Sequence, residues 1–106
     1  QYSARASQAL VKGLGAEKGK AFGITVASPA AIGVILADTA VKAAAVEVRA
    51  YSSPGHGTSY SNEVILGISG DSGAVKQAII SAREVGIELL AAMGDRPEST
   101  TKPYIL

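Results

Sequence analysis

The 106-residue chain contains no cysteine and no tryptophan, one histidine and one phenylalanine. Without cysteine there is neither a disulfide framework nor a thiolate metal site, and the redox compartment is left open. One imidazole, that of His56, excludes the usual multi-histidine centres, so neither metal nor cofactor is expected. Aromatic residues make up 5% of the chain and the formal charge of +1 comes from interspersed signs. With no basic stripe and few rings on which bases could stack, nucleic acid is not an expected partner. The longest apolar stretches are interrupted by Asp38 or by glycine and fall short of the ~20 residues of a membrane helix, so no membrane span is expected. Internal repeats and low-complexity tracts are also missing.

What remains is enough for one domain with a single core, and it is organised around residues 63–94. Val64, Ile65, Leu66 and Ile68 read as a buried strand that Gly70 and Asp71 end. The period then changes from two to about three and a half. Val75, Ala78, Ile79, Ala82, Val85, Leu89 and Met93 recur on one face of a helix, with Lys76, Arg83, Glu84 and Glu88 mainly on the other. Asp71 is expected as its N-cap, with its carboxylate accepting from first-turn amides, and Gly94 as its left-handed end.

Upstream, Tyr2, Ala4 and Ala6 alternate with Ser3, Arg5 and Ser7 as in a half-buried strand. Ser7 then caps a short helix over residues 8–14, which Gly13 and Gly15 end. Residues 15–20 form an exposed turn, and residues 20–27 a strand with Phe22, Ile24 and Val26 on one face. Ser28-Pro29 starts a helix with proline at its first position. This helix runs to about residue 45 and is expected to bury Ile32, Ile35, Leu36, Thr39, Ala40 and Ala43, with an exposed i, i+4 pair of Asp38 and Lys42. Residues 46–51 alternate as a third strand, and residues 52–62 form a polar, glycine-containing loop before the strand at 64. Residues 95–106, with Pro97 and Pro103, should be extended or irregular.

The pattern is strand, short helix, strand, helix, strand, strand, helix, tail. It predicts an α+β fold in which two main helices cover an antiparallel sheet as a ferredoxin-like split βαβ, with the usual last strand placed first. Gln1 stands where an initiator Met would, and a strand pattern is already under way there, so a piece of a longer chain is expected.

Several chemistries can be written down and set aside. Gly70-Asp71-Ser72-Gly73 has the letters that surround a trypsin-like nucleophile, but such a serine needs a base and an oxyanion hole held by a larger scaffold, and helix capping accounts for Asp71. Residues 13–20, G-L-G-A-E-K-G-K, lack phosphate-loop spacing, and Ala21 replaces the required Ser or Thr. The carboxylates of Asp38, Glu47, Glu63, Asp71, Glu84 and Glu88 lie mostly on polar faces without acid–base pairing. No catalytic residue is expected.

The runs A-D-T-A-V-K, Y-S-S-P-G-H-G-T-S and S-G-D-S-G-A-V-K-Q-A-I-I-S-A-R-E-V-G together resemble the shell-protein domain of bacterial microcompartments. Nearly the whole chain resembles the second domain of the tandem-domain shell proteins of propanediol- and ethanol-utilisation compartments. The resemblance implies a circularly permuted shell domain, with no enzymatic activity, in a cytoplasmic compartment shell. There, two such domains in one polypeptide build a trimer of pseudo-sixfold shape that tiles into a sheet; this chain holds one of them. A preceding shell domain, identical subunits and other shell proteins are the implied partners.

The same resemblance implies site residues. Lys42 matches the edge lysine that reaches the next tile, although its pattern alone describes a solvated helix residue. The loop matches the pore surround, where Ser52, Ser53, Gly55, His56, Gly57, Thr58 and Ser59 would meet small diols, alcohols or aldehydes. Its hydroxyls and amides can replace water around such solutes, and an uncharged lining selects by width and hydrogen bonding; pattern alone describes an ordinary exposed loop. The alanines of the 29–45 helix would permit close tile packing, or express helix propensity alone. A second class stays open on the residues: a ferredoxin-like regulatory module whose polar loop closes on a small effector at a subunit interface.

Overall fold

The computed structural model describes residues 1–53 and 62–94. Its elements are β1 (Tyr2–Ser3), α1 (Gln8–Leu14), β2 (Ala21–Ala27), α2 (Ala30–Ala43), β3 (Glu47–Ser52), β4 (Val64–Gly70) and α3 (Ser72–Ala92). The sheet order is β1-β2-β4-β3 and every neighbouring pair is antiparallel. β2 and β3 therefore run parallel on either side of β4 and are joined by α2, which is the split βαβ arrangement. β1 occupies the place of the last strand in that unit, as expected of a permuted order. Residues 95–106, read as an extended tail, lie outside the described residues.

The first strand is shorter than its alternation suggested. It pairs only through Tyr2↔Gly23 and Ser3↔Phe22, and the chain then bends away. Two local bonds draw it off the sheet: the Ala6 amide donates to the Lys20 carbonyl at 2.9 Å, and the Ser7 hydroxyl accepts from the Leu10 amide at 3.4 Å to cap α1. Gly13 lies inside α1, and Gly15 ends it alone, at φ 70°.

The two long helices start differently from the expectation. Pro29 occupies the N-cap of α2 rather than its first helical position, and its carbonyl accepts from the Ile32 and Gly33 amides at 3.0 and 3.2 Å. Asp71 is the N-cap residue of α3, but its side chain makes no capping bond. The carboxylate lies 3.4 Å from Lys20 Nζ instead, while the Asp71 carbonyl accepts from the Val75 amide at 2.9 Å. Its charge still stands at the favourable end of the helix dipole. Gly94, at φ 87°, follows the end of α3 as expected.

α2 and α3 lie on one face of the sheet. Ile32, Leu36, Ala37 and Ala40 from α2 form a core with Val75, Ala78, Ile79 and Ala82 from α3 and with Leu66 and Ile68 from β4. The buried stripe of α2 is rotated from the expected one. Gly33 and Ala37 face inward, whereas Ile35 and Ala43 are exposed and Thr39 is half-buried. Contact with the sheet explains the rotation: a Cβ added at Gly33 would come within 2.5 Å of the Val64 Cβ and 3.1 Å of the Ala27 carbonyl oxygen. The helix presents its smallest residue where no room is left for a side chain against the sheet. On α3, Val85 and Leu89 are half-buried, and Met93 is exposed because the core does not reach the last turn.

The same packing identifies the two sheet faces. A Cβ at Gly23 would meet Ile79 and Val75 of α3, so the odd residues of β2 face the helices and Phe22, Ile24 and Val26 face the other way. On that side Phe22 is buried and its ring fills the space left by Gly67, where a Cβ would come within 2.7 Å. Toward the far end of the strand cover is lost, and Val26 is 54% exposed.

Replacing Gly33 with Ala is expected to lower stability by ~1–3 kcal/mol through overpacking against Val64. Gly73→Ala, where nothing lies within 4 Å, should be neutral or stabilising by ~0.4–1 kcal/mol. Urea midpoints at unchanged m-value would distinguish them.

Candidate assembly edge and loop base

The outer flank of α2 combines small apolar surface with one cation. Residues at i, i+4, i+7 and i+8 share a helix face, which places Val34, Asp38, Val41 and Lys42 along a single strip. All four are exposed, Val34 and Val41 to 49% and 42%. Lys42 lies in the last turn, where a positive charge suits the helix dipole. Its ammonium is 2.8 Å from Asp38 Oδ2, as the spacing predicted, and its side chain remains 75% exposed. Such an exposed i, i+4 pair is worth about 0.3–0.5 kcal/mol. It orients the lysine without removing it from reach.

At the other end of the sheet order from β1, β3 forms an edge. Val48 and Tyr51 are 45% and 54% exposed, and the register shifts between Val48 and Ala50. Arg49, at the irregularity, donates from Nε to the Gly15 carbonyl at 2.6 Å and from a guanidinium nitrogen to Glu47 Oε1 at 2.9 Å. It thereby ties the end of α1 to the edge strand. Strand alternation carries no sign of this partner, 34 residues away.

The loop between β3 and β4 is anchored at both ends. Ser52 is the last residue of β3 and pairs with Ile65. The Ser53 hydroxyl donates to the Glu63 carbonyl at 2.8 Å. Asn62 Oδ1 accepts from the Ala30 amide at 3.0 Å, satisfying a first-turn donor that Pro29, having no polar side chain, cannot reach. This remote cap was not visible in the sequence, where Asn62 is one polar residue at the end of a loop. Of the residues expected to surround a pore, Gly55, His56, Gly57, Thr58 and Ser59 lie outside the described residues; Ser52 and Ser53 stand at the loop base.

The loop base and Lys42 are not brought together. Asn62 binds the first turn of α2 and Lys42 lies twelve residues further along, so about 18 Å of helix separates the loop base from the cation. The Gly70–Gly73 turn is occupied by structural bonds: the Ser72 hydroxyl is hydrogen-bonded to the Tyr2 hydroxyl, and Asp71 faces Lys20. Ser69, buried in the adjoining strand, accepts from the Glu17 amide at 3.0 Å. Among the described residues no three His, Cys, Asp or Glu side chains are grouped to hold a metal ion, and no helix is long and apolar enough to cross a membrane.

Residues 21–94 match the BMC domain family. The chain belongs to this family. Over 105 residues it is 60% identical to the bacterial microcompartment shell protein PduB of Citrobacter freundii, covering 99% of this chain and 39% of that protein. The BMC domain described here also superposes on the crystal structure of a trimeric bacterial microcompartment shell protein PduB, with a TM-score of 0.88 at 50% identity, over 99% of this chain and 46% of that one. EtuB from Clostridium kluyveri gives a TM-score of 0.90 at 50% identity with the same coverages. The BMC domain chain thus spans about two fifths of the length of its curated relative. These likenesses agree with the α+β, permuted fold and with the family resemblance drawn from the motifs.

Asn62→Ala should cost about 1 kcal/mol, the usual value of a lost N-cap acceptor. Amide exchange in the first turn of α2 should accelerate, and Asn62→Asp, which keeps an acceptor and adds a charge favourable to the dipole, should restore protection.

Proposed function

We propose that this chain is one of two shell domains in a tandem-domain protein, and that it tiles the shell of a propanediol- or ethanol-utilisation microcompartment inside a bacterial cell. The observation that carries this reading is the coverage: 99% of the chain aligns with shell protein PduB, yet it accounts for 39% of that protein. One BMC domain of a longer shell protein has that relation to the whole. The named structural relatives support the same assignment, one of them being trimeric.

The work of such a domain is mechanical and selective, with no bond made or broken. Its core holds α2 so that the Val34, Asp38, Val41 and Lys42 strip faces outward. Small apolar contacts there supply area, and Lys42, weakly held by Asp38, supplies a directional donor for backbone carbonyls of an adjacent tile. A preceding domain and identical subunits complete the tile itself, and adjacent tiles, of this protein or of other shell proteins, are the partners of that edge. At the other end of α2 the Ser52 and Ser53 base presents the loop at a pore. Gly55, His56, Gly57, Thr58 and Ser59 would continue a neutral polar lining past which small diols, alcohols or aldehydes travel. The Ser53 hydroxyl has spent its proton on Glu63 and is left as an acceptor.

In the full natural polypeptide, whose intact mass should be more than twice that of this chain, negative-stain electron microscopy is expected to reveal sheets or tubes. Lys42→Asp should abolish them while circular dichroism and the oligomer mass stay unchanged, and Lys42→Ala should weaken them. Discrete particles that are indifferent to Lys42 and are stabilised saturably by a small effector would instead establish a regulatory module.

A further inference from the structure

Away from the α2 flank, the segment after β1, helix α1 and the turn before β2 border a solvent-open cavity of about 220 Å³, with Arg5, Lys12 and Lys18 exposed. Arg5, Lys12 and Lys18 line it, with the Gln8 amide and an apolar wall from Ala6 and Val11. Its walls are tied to one another. The Ala6 amide is bonded to the Lys20 carbonyl at 2.9 Å, and the turn beneath closes through the Lys20 amide and the Glu17 carbonyl at 3.2 Å. Gly19, which also lines the cavity, has φ 82°, a conformation that favours glycine. The Ser7 cap fixes the start of α1 on the third side.

The charge around this cavity is one-sided. No acidic residue is among those lining it. Lys20, Lys42 and Arg49 each face a carboxylate, whereas Arg5, Lys12 and Lys18 form no ion pair among the described residues. In a chain of net charge +1, three uncompensated cations from three segments meet at one concavity and create a local positive potential.

We infer that this cavity is a binding site for a small phosphate monoester. Phosphate oxygens match the planar fork of Arg5 and can accept in addition from two ammonium groups. A dianion suits three cations better than the single charge of a carboxylate, and Ala6 and Val11 offer contact for a short carbon chain. The space, equal to about seven waters at ~30 Å³ each, lies below the ~300–1,000 Å³ of drug-sized pockets and favours a ligand of few atoms. The site is separate from the tile edge and the loop, and it does not depend on the shell reading.

Titration calorimetry of the full natural polypeptide at constant ionic strength, with n-propyl phosphate and propionate as probes, tests this. Propyl phosphate should bind at one site per polypeptide and about tenfold or more tighter than propionate, since the charge-assisted bonds to phosphate are more numerous. The double variant Lys12→Gln/Lys18→Gln should weaken it by about tenfold or more, and Arg5→Lys, which keeps charge but loses the fork, by about threefold. Lys76→Gln, on α3, should leave affinity unchanged. Binding should also weaken between about pH 8 and pH 5, as the second phosphate proton returns near its pKa of ~6. Absence of saturable heat, equal affinity for propionate, or an affinity unaltered in the double variant would overturn the assignment.

Discussion

The close approach of helix and sheet backbones at glycine is the constraint from which the rest of this domain follows. At Gly33 there is no room for a side chain beside Val64, and at Gly23 none beside Ile79 and Val75. Between the helices Gly86 leaves room for Leu36, whose methyl groups would lie 3.2 Å from an added Cβ. Close-packed interiors transmit such local geometry because few voids are available to absorb it. Once Gly33 is against the sheet, the phase of α2 is set, and Val34, Asp38, Val41 and Lys42 are turned outward together. The exposed strip is therefore a consequence of how the opposite side of the same helix packs.

The loop base depends on that placement in turn. Asn62 reaches the start of α2 only because β4 lies beside β2 and brings its leading residue to the helix end. One side chain thereby serves two elements, terminating the loop and capping the helix. Ser53 secures the other end through Glu63. The two ends of a polar segment are thus fixed to a rigid frame. Arg49 adds a third tie between α1 and the edge strand.

Most of the architecture was legible in the sequence. The change of period near Gly70 identified β4 and α3, alternation identified β2 and β3, and Ser7 and Gly15 bracketed α1 correctly. The split βαβ order and its displaced first strand followed from element order and match the sheet. What periodicity did not reveal was decided by contacts distant in sequence. The inward face of α2 was misjudged because glycine scores poorly as a core residue, although steric exclusion makes it the one required at position 33. Asp71 was read as a side-chain cap, a local inference that Lys20 overrides from 51 residues away. Lys42 as an exposed ion-paired residue followed from spacing, but a role at an edge came from resemblance, since nothing in the period of a helix specifies a neighbour. The links made by Asn62 and Arg49 had no signal in a single chain.

The irregular register of β3 has a consequence for growth. A regular, straight edge strand invites another strand to add to it through its free backbone groups, whereas a bulge kinks the strand and interrupts that template. With Val48 and Ala50 out of step, β3 is a poor seed for endless hydrogen-bonded ribbons. In the tiling proposed above, contact between copies would then fall to side chains, whose weak and separable bonds would let a misplaced unit detach and try again, so that a two-dimensional lattice could heal its own defects.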